Sequence, residues 1–506
     1  MMMMGLMILT IHATAATGPS GFVFIDENHN GIFDPGEWNG ALIQDAVDNA
    51  SNGDTIYVWN GTYHENVEVN KTVSIIGNGS QNCIVQAAYS NKPAFYINAD
   101  WVNISGFSIT GASNSCGIGT HPRAVHGNFS ENNIMNCECG IQIPYPYFKI
   151  CLLGTPGQAD TVSLYNHLVG QGHQVALHLQ TQSNVLSPSY YAGFDLVIFW
   201  GNGETNRADN IIASGTPFIS TSYYNTDDIF LGSGTNTMHQ SRSTFNVTDN
   251  SHYITAPYSL GTLTFESSMW TDATDPTGCS SRVLVNSGSE TQAILIVNET
   301  NKYAYFGWYR FSQMSATGWD IFNRTVEWAI GQADGCQFVI YNNNITGATY
   351  GINCSASGFH ITNNTFWHDD YGIYWDIEKE NLAESYTVYG STAEGNEFYM
   401  NTNSDAIYAC VGLDYNNHGA YNATIGDISF LDNTFYMNGT GADGIDMSGG
   451  MYVEGIYVER MNGGNISVGT VNISDNRFYG GHDVIDFWGD FEEVWDVNLV
   501  VGDVIV

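Results

Sequence analysis

Six segments of this chain repeat one arrangement: an Asn, then Ile or Phe two residues later, then another Ile nine to twelve residues after the Asn, usually preceded by Gly. The copies are Asn132-Asn133-Ile134 with Gly140-Ile141, Asn343-Asn344-Ile345 with Gly351-Ile352, Asn364-Thr365-Phe366 with Gly372-Ile373, Asn396-Glu397-Phe398 with Ala406-Ile407, Asn433-Thr434-Phe435 with Gly444-Ile445, and Asn476-Arg477-Phe478 with Val484-Ile485. A short strand, an Asn-bearing turn and a second short strand, repeated without helical periodicity, specify a solenoid of stacked strands. Each coil buries its Ile or Phe against the coil below, and the turn Asn can hydrogen-bond up and down the stack. The fold this predicts is mainly β, a parallel β-helix.

The spacing of the copies exposes an insertion. Asn343 and Asn364 are 21 residues apart, but Asn132 and Asn343 are 211 apart. The repeat resumes on both sides of the gap, as Cys139-Gly140-Ile141-Gln142-Ile143 and Cys336-Gln337-Phe338-Val339-Ile340. The expected organisation is therefore a signal-peptide-like segment at 1–18, a cation-loop region at 19–38, coils at 39–144 and 336–506, and an inserted α/β domain at 145–335.

Inside the gap the pattern alternates strand and helix. Phe148 to Gly154, Gln174 to Leu179, Phe194 to Gly201 and Thr216 to Ser220 read as buried strands, with helices around Val162 to Val169 and from Trp319 to Gly331. The order, with Gly172-His173, His252-Tyr253-Ile254-Thr255 and Glu327-Trp328-Ala329, resembles flavodoxin-like domains of the glutamine amidotransferase and ThuA-like group. Amidotransferase chemistry requires a thiolate on a sharp strand-to-helix turn. Cys151 lies inside the first strand and Cys279 in a Thr-Gly-Cys-Ser loop, so glutaminase activity is not expected and a binding or display role is. Gly154-Thr155-Pro156-Gly157 lacks the Lys-Ser/Thr of a phosphate loop and reads as a tight turn.

Asp26-Glu27-Asn28-His29-Asn30-Gly31-Ile32-Phe33-Asp34-Pro35-Gly36-Glu37 fits a twelve-residue calcium loop at every position. Oxygens would come from Asp26, Asn28, Asn30, the Ile32 carbonyl, Asp34 and Glu37, with Gly31 allowing the sharp turn. The preceding strand-like Gly21 to Ile25 makes it similar to calcium loops of bacterial and archaeal surface proteins, and the expected cofactor is a structural Ca²⁺. Asn39 to Ala50 follows as an amphipathic helix, with Asn39 as its cap and Leu42, Ile43, Ala46, Val47 and Ala50 as an apolar stripe that covers the first coil.

The strand-like runs at 54–63, 67–77 and 102–109 resemble the opening coils of the right-handed β-helix, pectin-lyase-like superfamily, including its NosD-like and archaeal adhesin-like members. That resemblance implies the right-handed fold but no activity, because the fold hosts lyases, hydrolases, esterases and pure binding proteins.

With 51 acidic against 13 basic residues the net charge is -38, which repels phosphate backbones and makes nucleic acid an unsuitable partner. About sixteen Asn-x-Ser/Thr sequons, among them Asn60, Asn103, Asn246, Asn298, Asn422 and Asn472, fit a secreted or cell-surface chain. Met1 to Ala16 reads as the apolar part of a signal peptide without its positive segment. Beyond it, no run reaches the roughly 18 apolar residues of a membrane span. Val497 to Val506 still reads as strand, as in a chain that continues. Nine cysteines form no zinc pattern; Cys137 or Cys139 could bond Cys336 across the root of the insertion, or all could be small buried residues.

Two outward columns carry the functional expectations. Trp367, Tyr399, Tyr436 and Tyr479 each follow an inward Phe, so coils about 4.8 Å apart stack four rings into a strip. The strip suits a glycan or cell-surface polysaccharide, unless loops cover it or the rings stack only on each other. The second column is acidic: Asp405, Asp443 and Asp483 precede the repeat Ile, Asp446 and Asp486 follow it, and His482 and Asp490 lie nearby. Solvated turn carboxylates, a cation site, or glycosidic hydrolysis by Asp443, Asp446, Asp483 and Asp486 are the alternatives. The Arg-x-Lys of polygalacturonases is missing, so pectin-type catalysis on an anionic polymer is disfavoured. The reading is a surface β-helix that binds or adheres through its long face, with a protein partner for the inserted domain. A glycoside hydrolase on a neutral glycan is the alternative, and a stalk that holds the insert away from the cell is a third.

Overall fold

The computed structural model describes residues 20–144, 147–183, 185–201, 208–279, 281–331, 337–367, 369–382, 386–400, 406–415, 419, 421–437, 451–480, 485–492, 498–501 and 504–505. The chain is a parallel β-helix. One sheet runs through Thr55–Val58, Ser74–Gly77, Val102–Ser105, His126–Ser130, Gln337–Tyr341, His360–Thr362, Ser391–Glu394, Ile428–Leu431, Val471–Ser474 and Val504–Ile505. A second sheet runs from Gly61–His64 to Arg477–Gly480 and a third from Val67–Val69 to Ile485–Glu492. Each coil gives one strand to each sheet, paired in parallel and in register with the next coil. The later coils add a fourth sheet, Tyr386–Val388, Tyr421–Ile425, Gly464–Val468 and Asn498–Val501.

The repeat chemistry is visible as an asparagine ladder. Asn343 Nδ2 donates to Asn364 Oδ1 at 3.0 Å, Asn364 to Asn396 at 3.1 Å, Asn396 to Asn433 at 3.0 Å and Asn433 to Asn476 at 3.0 Å. The same Nδ2 groups also donate to carbonyls of the preceding coil, Asn364 to Ile340 O and Asn396 to Ile361 O, both at 2.9 Å. Asn132, Asn343, Asn364, Asn396 and Asn433 are buried, where an unpaired amide would be costly, so the ladder fixes register as well as stability. The residue before each ladder Asn is left-handed: Glu131, Asn342, Asn363, Asp432 and Asp475 at φ between 52 and 59, and Gly395 at φ 66. Asn, Asp and Gly tolerate that conformation, which is why they recur there.

The Gly of the repeat has a packing cause. A Cβ on Gly351 would lie 2.5 Å from Gly372 O and 2.6 Å from Phe366 Cδ1, so only Gly leaves room for the inward side chain of the second sheet. Those inward rings stack, Phe366 on Phe398 at 4.8 Å, Phe398 on Phe435 at 4.9 Å and Phe435 on Phe478 at 4.6 Å.

The first coil is covered by the helix Ile43–Asn49 and by Val23–Asp26, which pairs antiparallel with Asn39–Gly40 and with Thr55–Val58. Two expectations are corrected here. Asn39 does not cap the helix, because it is held in the short strand pair with Phe24. The helix N-terminus is capped instead by the distant carboxylate of Glu65, which accepts from Ile43 N–H at 3.0 Å and Gln44 N–H at 2.9 Å. Leu42 precedes the helix and is 45 % exposed, so it leaves the buried stripe.

After Ile143 the stack jumps in sequence but not in space. His126–Ser130 pairs directly with Gln337–Tyr341, Asn133–Met135 with Asn344–Thr346, and Cys139–Ile143 with Tyr350–Cys354. Between them lies a separate nine-stranded sheet in the order Gln174–Leu179, Lys149–Gly154, Leu196–Phe199, Phe218–Ser220, Tyr303–Phe306, Ala293–Asn298, Arg282–Asn286, Met238–Val247, Gly261–Ala273. The first five strands are parallel and the rest antiparallel. Helices Ala159–Gly170 and Ala316–Ala329 pack on the face that holds Ile198, while Tyr191 and Ile211 pack on the other face against Val197 and Phe199.

Candidate functional site

The four outward aromatics form the column that alternation predicts. Trp367 stacks on Tyr399 at 3.9 Å and 4°, Tyr399 on Tyr436 at 4.6 Å and 10°, and Tyr436 on Tyr479 at 5.0 Å and 8°. In-register pairing forces this geometry, because each ring leaves its strand at the same point one coil apart. The consequence limits what the column can hold. Ring faces that cover each other are not open to a sugar ring, and what the column presents outward is ring edges and phenol hydroxyls. The terminal members keep the most surface, Trp367 at 37 % and Tyr479 at 53 % exposure. Tyr399 Oη also donates to Glu397 Oε2 at 3.0 Å.

Sequence reading missed a second aromatic row on the third sheet. Tyr374 stacks on Tyr408 at 4.7 Å and Tyr350 on Tyr371 at 5.5 Å. The signal was present, since Tyr374 and Tyr408 each follow the repeat isoleucines Ile373 and Ile407 and so face outward as Trp367 does.

Of the acidic column, Asp443, Asp446 and Asp483 lie outside the described residues, as do Asp405 and His482. Asp486 lies on the strand Ile485–Glu492, in register with Tyr452.

In the loop Asp26 to Glu37, backbone N–H groups hold the oxygen-bearing side chains inward. Asp26 accepts from Asn30 N–H at 3.1 Å and Gly31 N–H at 2.7 Å, Asn28 Oδ1 from Asn30 N–H at 3.1 Å, and Asn30 Oδ1 from Ile32 N–H at 2.7 Å. Glu37 closes the loop by accepting from Glu27 N–H at 3.2 Å and Asp34 N–H at 2.8 Å. Gly31 has φ 76, which the sharp turn requires. Asp34 Oδ2 receives the Nδ2 groups of Asn28 and Asn30, both at 2.7 Å, and these amides hold its carboxyl below the usual range. The donor set is all hard oxygen, which fits Ca²⁺ in kind. Among the described residues no three His, Cys, Asp or Glu side chains converge by themselves, so amide and carbonyl oxygens would have to complete the shell.

Neither Cys151 nor Cys279, the cysteines within the insert, sits as an activated thiol. Cys151 is buried in the first strand of the inserted sheet and burial pushes its thiol up to about 12; Cys279 is raised for the same reason. Cys137 and Cys139 are buried free thiols, and Cys336 lies outside the described residues. The sheet is seated on the coils by Arg123, whose Nη1 donates to Asp195 Oδ1 at 3.1 Å. A second seat joins Tyr253 and Tyr389, whose hydroxyls are 3.2 Å apart.

No known family model matches the chain. Over 97 residues, 19% of this chain, it is 38% identical to a cell surface glycoprotein of Methanothermus fervidus, and the match spans 15% of that protein's length. The alginate lyase of Paenibacillus sp. str. FPU-7 aligns over 90% of this chain and 95% of its own at 14% identity, with a TM-score of 0.26. That score is too low to superpose the two architectures, so the β-helix stands on the chain's own strand pairing. Among the described residues no helix is long and apolar enough to cross a membrane.

Proposed function

We propose that this protein is a cell-surface β-helix that binds glycan, with its coils serving as a rigid mount for the inserted sheet. The local likeness to a cell surface glycoprotein carries the surface part of this reading. The net charge of -38 and the many sequons suit the same setting. Glycan binding is supported by the exposed ends and hydroxyl edge of the column Trp367, Tyr399, Tyr436 and Tyr479. The order of the parallel strands in the insert, second, first, third, fourth, fifth, supports the flavodoxin-like reading of that part. The buried Cys151 argues for binding or display there rather than amide hydrolysis.

Ca²⁺ in the Asp26 to Glu37 loop would tie the Asn39–Gly40 strand to the cap of the first coil. Its test is unfolding temperature with and without chelator: Ca²⁺ raises it in the native chain and not in Glu37→Gln. A chelator-insensitive native chain would refute the calcium site.

A glycan array in Ca²⁺, run beside a reducing-sugar release assay, tests the main reading. Binding without release, weakened in Trp367→Ala/Tyr436→Ala, supports it. Release abolished by Asp443→Asn or Asp483→Asn would replace it with hydrolysis. Silence in both assays would leave the coils as a stalk.

A further inference from the structure

The seam between the insert and the coils holds a cavity of about 300 Å³, at the lower end of ligand-pocket volumes. Helix Ala316–Ala329 gives it Asp320, Arg324 and Glu327, and the fourth coil sheet and its edge give Tyr389, Asn422 and Thr424. We propose that this seam cavity binds a single neutral, hydroxyl-rich sugar residue, the end or one unit of the surface glycan.

The chemistry of the lining makes the choice. Arg324, the cationic side chain there, is partly engaged: its Nε donates to Asp320 Oδ2 at 3.2 Å and its guanidinium lies 5.3 Å over the Tyr253 ring. Asp320 Oδ2 also accepts from Tyr258 Oη at 2.5 Å, and Glu266 is held by Thr317 Oγ1 at 2.6 Å. An anionic sugar would therefore meet three carboxyl groups against one guanidinium that already faces Asp320, which disfavours a uronate. Glu327 accepts from Tyr253 Oη at 2.5 Å, and Tyr253 Oη lies 3.2 Å from Tyr389 Oη, so a hydroxyl relay runs across the junction from insert to coil. Burial raises the Glu327 carboxyl, against the opposing pull of Tyr253 and Arg324. Such a wall exchanges hydrogen bonds with the many hydroxyls of a sugar, which both donate and accept. The phenol rings supply the apolar contact that the carbon face of a sugar needs. Because both parts build the wall, occupancy would also fix the insert on its seat. This deepens the glycan-binding reading and rests on it.

The test is calorimetric titration of the full chain with methyl glycosides of a neutral hexose, an amino sugar and a uronic acid, with a linear polyamine as control. The neutral glycoside should bind and the uronate should not, and Tyr389→Phe, which removes one hydroxyl and little volume, should weaken binding about tenfold. Glu327→Gln and Thr424→Val should weaken it as well. Binding that survives Tyr389→Phe and Glu327→Gln but is lost in Trp367→Ala would overturn the cavity and leave the glycan reading intact. So would polyamine binding without glycoside binding beside a positive array. Failure of every glycan on the array as well would sink both.

Discussion

Coils and inserted sheet use similar apolar residues under opposite rules. In the later coils inward side chains form columns of one kind, as Phe366, Phe398, Phe435 and Phe478 do, and each ladder Asn meets another Asn. In the insert neighbouring residues serve different cores: Ile198 faces one and Val197 and Phe199 the other, and buried Asn225 is held by the single hydroxyl of Ser220 at 3.1 Å. Repetition makes each coil position a member of a chain of equivalent bonds, so a lesion reaches the coils above and below. In the insert a lesion stays local.

The sharpest break of this contrast is Asn364→Ala. It removes a donor to Ile340 O and Asn396 Oδ1 and the acceptor of Asn343 N–H, leaving buried partners unpaired on both sides at a cost on the order of 3 kcal/mol. Hydrogen exchange should rise in both neighbouring coils, whereas Asn225→Ala, about 1 kcal/mol, should affect only its own turn. Equal spread from the two variants would contradict the contrast.

Next is a pH effect at the coil turn. Asp369 is buried, accepts from Ala348 N–H at 2.7 Å, and burial pushes its carboxyl from 3.8 to about 8. Its folded state binds the proton more tightly than the unfolded chain does. The stabilisation is therefore complete below about pH 4 and is lost as pH rises towards about 8. Denaturant midpoints at pH 4.5 and 7.5 should differ more in the native chain than in Asp369→Asn; identical differences would refute the assignment.

Glycines separate the two regions by mechanism. Gly351→Ala should cost about 1–3 kcal/mol through overpacking against Phe366. Gly215→Ala, in the insert, meets no atom within 4 Å and should cost about 1 kcal/mol through its φ of 73 alone. Trp367→Ala should cost about 1 kcal/mol, because the column's outer ring is partly exposed and loses one stacking partner. Arg123→Ala should change global stability least, by less than about 1 kcal/mol, since the pair with Asp195 is partly solvated. Its readout is faster exchange around Asp195. An unchanged exchange rate there would mean the seat at Tyr253 and Tyr389 suffices.

The sequence by itself determined the coil. A period of Asn, inward Ile or Phe and Gly is a local rule that each turn restates, so the ladder at Asn364, the column at Trp367 and the inward Phe stack were all readable from spacing. Alternation also holds the Tyr374 and Tyr408 row, whose signal lies one residue after the repeat Ile rather than after the repeat Phe. Tertiary structure alone decided what depends on a partner far along the chain. Glu65, not the adjacent Asn39, caps the helix at Ile43, because folding brings a carboxylate 22 residues away to the free N–H groups. Stacking contact, not alternation, decided that the column's ring faces are covered. The seam of Tyr253, Glu327 and Tyr389 joins residues up to 136 positions apart in contact, and no period relates them, because only the docking of one fold on another brings them together.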